Sequence, residues 1–169
     1  MSNLMQTRSY PVSAEQLLSF LTSKEFYVRR YNILEVEDYS FEQCEQTEQG
    51  FVVHIERNMP INTERIPSFA RRFVGETAEL STRFVWDNQG AAPYVGHYSV
   101  AMAGAPVTIE GAVKISAQTD SSCEQNIDLK IHCSVPIIGK KLAALLAQRV
   151  EKVLEDDYQA TLRYLREHA

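Results

Sequence analysis

After Gly139 the chain runs to His168 without another glycine or a proline, and apolar residues recur there at steps of three or four. Leu142, Leu146, Val150, Val153, Asp157, Thr161 and Leu165 form one stripe, widened by Leu145, Leu154, Tyr158 and Leu162. Gln148, Lys152, Glu155, Gln159, Arg163 and Arg166 run down the opposite side. The pattern predicts one amphipathic helix of about thirty residues, on the order of 45 Å long. A rod of that length with a single apolar side needs a broad partner layer to cover it.

The rest of the chain supplies that layer. A short strand is expected at Leu4–Tyr10, ended by Pro11. Ser13 then stands where a helix N-cap belongs, ahead of Ala14–Thr22. A second short helix is expected over Lys24–Asn32, with a break near Ser23. From Glu35 the apolar period falls from near 3.6 to 2, which reads as strands. These are Val36–Glu45, Phe51–Met59, Ala78–Trp86, Tyr94–Met102, Val107–Ser116 and Cys123–Val135. An insert from Pro60 to Gly75 interrupts them. There Pro67 suits a first helical position, and 68–74 could form about two turns of helix. Six consecutive strands with no helix between them should pair as antiparallel neighbours. The predicted class is therefore α+β: a curved antiparallel sheet of about seven strands against one long helix, with two short helices after the first strand. Residues 1–169 are expected to form one domain, since no Pro-, Gly- or Ser-rich linker divides them.

Charge and cysteine usage exclude several classes. With 17 basic and 22 acidic residues the net charge is −5 and the pI about 5.4, which argues against a nucleic-acid partner. Cys44, Cys123 and Cys133 lack the spacing of a zinc site or disulfide framework, so reduced thiols are expected. The N-terminal residues lack the apolar core of a signal peptide. The uncharged stretch between Asp87 and Glu110 is broken by Pro93, Pro106 and three glycines, so it reads as strands and turns rather than as a membrane span. A cytoplasmic location is expected.

The segments YPVSAEQLLSFL and VPIIGKKLAALL, in this order of elements, resemble the helix-grip fold of the SRPBCC superfamily, which includes the START lipid-transfer domains and the birch-pollen-allergen proteins. RIPSFARRFVGE, the lone Trp86 at a strand end, AGAPVTIEGAV and VPIIGKKL are most similar to a bacterial family called domain of unknown function 2505. The resemblance implies a deep apolar cavity between sheet and helix, suited to a hydrophobic or lipid-like small molecule. It implies no particular chemistry, since carriers, hormone binders, aromatase/cyclases and co-chaperones share the shell.

Strand alternation predicts which residues would line such a cavity. They are Val53, Ile55, Arg57 and Met59; Leu80, Phe84 and Trp86; Tyr98 and Val100; Ile109 and Val113; and Ile127, Leu129 and Ile131. Leu146, Val150, Val153 and Asp157 would face them from the long helix. Arg65, Phe69 and Arg72, in the insert, are expected at the cavity rim, where a transient contact with an anionic membrane surface is conceivable. Arg57 is the one guanidinium on an apolar strand face and Asp157 the one carboxylate on the helix stripe. They would form a buried pair able to clamp a ligand carboxylate or phosphate, unless Arg57 reaches solvent past Pro60.

Hydrolytic chemistry is disfavoured. His54, His97 and His132 fall on the predicted outer face, and His168 lies at the terminus. No HExxH, GxSxG or phosphate loop occurs, and neither a metal nor a cofactor is expected. Three readings stay open: a hydrophobic-ligand binder, a cyclase- or dehydratase-like enzyme using Tyr94, Tyr98 or Tyr158, and a protein-interaction module with a filled cavity. The last would use the acidic stretch Glu35–Glu48 to meet its partner.

Overall fold

The computed structural model describes residues 2–168 apart from 74 and 89. In chain order its elements are β1 (Ser2–Tyr10), α1 (Ala14–Leu21), α2 (Lys24–Ile33), β2 (Tyr39–Thr47), β3 (Gly50–Pro60), β4 (Thr77–Trp86), β5 (Tyr94–Met102), β6 (Val107–Thr119), β7 (Ser122–Cys133) and α3 (Gly139–Glu167). The strands form one antiparallel sheet in the order β1-β7-β6-β5-β4-β3-β2. Six strands thus meander by hairpins, and β1 joins the far edge beside β7, with Leu4 opposite Leu129 and Tyr10 opposite Cys123. This is the helix-grip architecture that the element order predicts.

Local chemistry places the short helices. The Ser13 hydroxyl accepts the Gln16 N–H at 3.1 Å, which starts α1. Ala14, Leu17 and Leu21 then bury one side of that helix. In α2, Phe26, Tyr27 and Tyr31 are buried, and the Tyr27 hydroxyl donates to the Leu21 carbonyl at 2.8 Å. Phe26 and Phe20 both meet Tyr164 of α3 edge-on, at 5.0 and 5.4 Å between ring centres. Each such contact adds about 0.5–1.5 kcal/mol beyond simple burial. The aromatic knot ties the short helices to the C-terminal end of the long one.

Three segments differ from the sequence expectation. The second strand starts at Tyr39 rather than Val36. The Val36 N–H bonds back to the Tyr31 carbonyl, and Glu35 takes a left-handed φ of 58°, so these residues terminate α2 instead. The last strand ends at Cys133, because Ser134 turns to bond the Pro106 carbonyl. The insert holds two short 3-10 turns, Thr63–Arg65 and Arg71–Phe73, in place of an α-helix over 68–74, whose last position lies outside the described residues. Its bonds run three residues back, Ala70 N–H to Pro67 and Phe73 N–H to Ala70. That tighter winding turns Ile66 and Ala70 into the core.

The burial of α3 is uneven along its length. Gly139, Leu142 and Ala143 are buried near its start, and Ala160, Thr161, Tyr164 and Leu165 near its end. Between 144 and 159 no residue is fully buried. The helix is therefore seated at two ends and bridges whatever lies below its middle.

Candidate functional site

Beneath that bridging stretch lies a cavity of about 220 Å³. Its floor comes from the inward faces of the central strands: Ile55, Arg57 and Met59 of β3, Leu80, Phe84 and Trp86 of β4, Tyr98 and Val100 of β5, Ile109 and Val113 of β6, and Ile127 of β7. Leu146, Val150, Val153 and Asp157 of α3 form the roof. Alternation carries these side chains to one face, and the antiparallel register brings them together: Arg57 pairs with Leu80, Phe84 with Tyr98, and Val113 with Ile127.

Other residues on the predicted face lie elsewhere. Val53 packs with Tyr27, Tyr31 and Ile55 in a separate cluster. Leu129 and Ile131 are wholly buried in the main core. They share a face with Ile127 but do not line the cavity. Of the expected rim, none of Arg65, Phe69 and Arg72 reaches the lining. Phe69 is 36% exposed with Lys141 over its ring, and Arg72 covers Phe73.

The depth of the cavity is set partly by Trp86. Its indole is 2% exposed and stacks parallel on Phe84 at 6.3 Å. The ring fits because position 96 is glycine: a Cβ there would stand 2.8 Å from the indole. The indole Nε1 is shut off from water and has no hydrogen-bond partner among the described residues.

The polar part of the lining differs from the expected Arg57–Asp157 pair. Asp157 is met by Arg30 of α2, at 3.9 Å, and Arg30 also lies within 3.5 Å of the Thr161 hydroxyl. The guanidinium of Arg30 rests over the rings of Phe26 and Tyr27, both at 5.2 Å. Burial pushes the Asp157 carboxyl above the ordinary carboxylate range, and the charges of Arg30 and then Arg57 pull it part of the way back. Arg57 thus acts on Asp157 at a distance without touching it. Arg30 is not among the lining residues that strand alternation predicts, because it comes from a short helix outside the sheet. Its spacing held the signal, since positions 26, 27, 30 and 31 share one side of a helix and the other three are aromatic.

Beside Asp157 along α3, Arg8 of β1 bonds Glu155 at 2.8 Å and lies over the Tyr158 ring. The Tyr158 hydroxyl donates to the Ser9 carbonyl at 2.9 Å, and that of Tyr10 to Gln125 at 3.3 Å. These tyrosines serve structure first. Burial raises the hydroxyl pKa of Tyr10, Tyr27 and Tyr98 well above that of an ordinary phenol, so all three stay protonated.

No His, Cys or Lys stands among the described lining residues, so the cavity holds no group that titrates near neutrality in the ordinary way. The nearest approach to a catalytic triad is on the outer face of the sheet. There His54 Nε2 lies 2.8 Å from the Ser81 hydroxyl and 2.9 Å from Glu56. Both contacts fall on one ring nitrogen, and Ser81 itself donates to Glu56 at 2.8 Å. A serine–histidine relay requires the acid on the opposite nitrogen, so this ring of bonds is structural. Cys123 and Cys133 are buried and Cys44 is half-buried, all free. Burial pushes the Cys123 thiol up to about 11, which leaves it unreactive. Among the described residues no three His, Cys, Asp or Glu side chains converge as a metal site would need, and no helix is long and apolar enough to cross a membrane.

Known structures share this architecture at low sequence identity. The protein TTHA0849 from Thermus thermophilus matches at 14% identity over 96% of this chain and 99% of its own, with a TM-score of 0.61. A START superfamily protein from Mycobacterium smegmatis matches at 11% identity over 99% of both chains, with a TM-score of 0.60. The Zhui aromatase/cyclase from Streptomyces matches at 13% identity over 96% of this chain and 89% of its own, at 0.56. At such identities the likeness shows the fold. Among curated proteins none matches the sequence. The family described as protein of unknown function (DUF2505) matches residues 5–165, nearly the whole length, and the chain belongs to that family.

Proposed function

We propose that this protein binds a compact hydrophobic small molecule between the sheet and the middle of α3. One observation carries the reading: the long helix is buried at both ends and spans a cavity between them. A helix that merely completed a core would bury its apolar stripe along its whole length. Here Leu146, Val150 and Val153 keep that stripe apolar over a space that no side chain fills.

Size narrows the occupant. A dry cavity of about 150 Å³ is enough for benzene, so this one suits a body of on the order of ten carbons. Burying about 200 Å² of apolar ligand surface yields about 5 kcal/mol, a sub-millimolar affinity before any polar contact is counted. The likeness to a START superfamily protein and to an aromatase/cyclase supports a ligand site at this place in the fold. Binding rather than turnover is favoured because Tyr158 is committed to the backbone of β1 and Asp157 to Arg30.

Native mass spectrometry of the protein purified from cells should reveal a co-purifying small molecule. Titration with an environment-sensitive naphthalene dye should give saturable binding, lost on Val150→Phe. A dye that binds wild type and Val150→Phe equally well would place its site elsewhere and refute the proposal.

A further inference from the structure

The cavity carries a surplus of positive charge, and that surplus falls on one residue. Charged groups reach the lining from several walls: Arg8 from β1, Arg30 from α2, Arg57 from β3, and Arg149 and Asp157 from α3. Arg8 is neutralised by Glu155 at 2.8 Å, Arg30 meets Asp157 at 3.9 Å, and Arg149 is exposed to solvent. Arg57 has no such partner. No described carboxylate stands within 4 Å of it, and its Nε is sealed from water with nothing to bond. Its nearest aromatic neighbour is the Tyr31 ring, at 5.9 Å. Asp157 feels both guanidinium groups, but one carboxylate between two arginines leaves a net charge of +1.

Arg57 as a whole is half-buried, so beyond the sealed Nε its remaining N–H donors are free to meet an acceptor that enters the cavity. The surrounding inward positions of β3 and β4 are Ile55, Met59, Leu80 and Phe84, with Thr82 the one polar side chain among them. An acceptor that arrives with an apolar body suits both the unpaired guanidinium and these mostly apolar neighbours. Guanidinium geometry matches a planar carboxylate through two parallel hydrogen bonds. The charge balance selects a monoanion, because a phosphate ester near −2 would replace one unpaired positive charge by an unpaired negative one.

Building on the ligand-binding reading above, we infer that the ligand is a small carboxylic acid of roughly ten carbons. Its carboxylate is bound by Arg57 and its apolar end lies toward Trp86 and Val113. Arg30 and Asp157 hold the flank of this subsite, since Asp157 facing Arg30 leaves Arg57 free. A two-chain phospholipid does not fit the volume.

The test uses matched pairs of acid and neutral amide: octanoate with octanamide, 4-phenylbutyrate with 4-phenylbutyramide, and 1-naphthylacetate with its amide. Each is titrated calorimetrically into the full-length protein at pH 7. In at least one pair the acid should bind ten-fold or more tighter than the amide. Arg57→Met should bring that acid down to the level of its amide, and Arg57→Lys should restore part of the difference. The wild-type comparison needs no variant, so it stands even if Arg57→Met fails to fold. Amides that bind as tightly as their acids would overturn the carboxylate assignment and leave the hydrophobic site intact. No binding by any of the six compounds would overturn both.

Discussion

Trp86 offers the sharpest energetic test of the site, because two opposing contributions meet in one side chain. The indole is 2% exposed, so replacing it by phenylalanine removes two buried ring carbons besides the nitrogen, a loss of about 2 kcal/mol. The same change deletes an N–H that is shielded from water and unpartnered, which relieves about 1–3 kcal/mol. The two nearly cancel. Trp86→Phe should therefore stay within about 1 kcal/mol of wild type, a melting shift of no more than about 4 °C for a chain of this size. Trp86→Ala also loses the stack on Phe84 and should cost about 3–5 kcal/mol, or about 6–20 °C. The assay is thermal and urea unfolding followed by far-UV circular dichroism, since either variant lacks the chain's only tryptophan fluorophore. If Trp86→Phe is as damaging as Trp86→Ala, the indole N–H has a partner and the cancellation does not occur.

Three further outcomes follow from other parts of the molecule. Because burial raises the Asp157 pKa, the folded state holds this proton more tightly than the unfolded chain does. The residue's contribution is therefore full below about pH 4 and is lost as pH rises through the folded value. The stability of wild type relative to Asp157→Asn should accordingly fall as pH rises above about 4 in paired melting curves; a rising difference would contradict the assignment. Ser13→Ala should remove about 1 kcal/mol by leaving the Gln16 N–H uncapped, readable as about 2–4 °C in melting temperature. Gly111→Ala would set a Cβ 1.9 Å from the Asp128 carbonyl, so β6 and β7 must part there. We expect a loss above about 2 kcal/mol and faster amide exchange on both strands, whereas unchanged exchange would show that the strands adapt in place.

The architecture was legible in the sequence because its signals are periodic and redundant. A glycine-free stripe from Leu142 to Leu165, six runs of period 2 and a serine at a cap position each identify an element unaided. Alternation along β3, β4 and β6 likewise brings Ile55, Phe84 and Val113 to the face that lines the cavity. What alternation cannot express is how far along a strand the cavity extends. Leu129 and Ile131 share a face with Ile127, yet they are wholly buried while Ile127 opens on the hollow. The ion pairing was illegible for a related reason. Arg57 and Asp157 were both recognisable as charges on apolar stripes, but which arginine meets the carboxylate depends on how α2 crosses α3. That crossing is set by the contacts of Phe20 and Phe26 with Tyr164, side chains far apart in the chain.

The two-ended seating of α3 separates responsibilities along a single helix. Its first and last turns hold the molecule together, through Leu142 and Ala143 at one end and Tyr164 and Leu165 at the other. The intervening apolar positions Leu146, Val150 and Val153 line the cavity, are not fully buried, and support less of that load. Mutations there are inexpensive to the fold yet act directly on the shape of the hollow. A lineage, or a protein engineer, could exchange one guest for another by rewriting a few mid-span positions and leave thermal tolerance untouched.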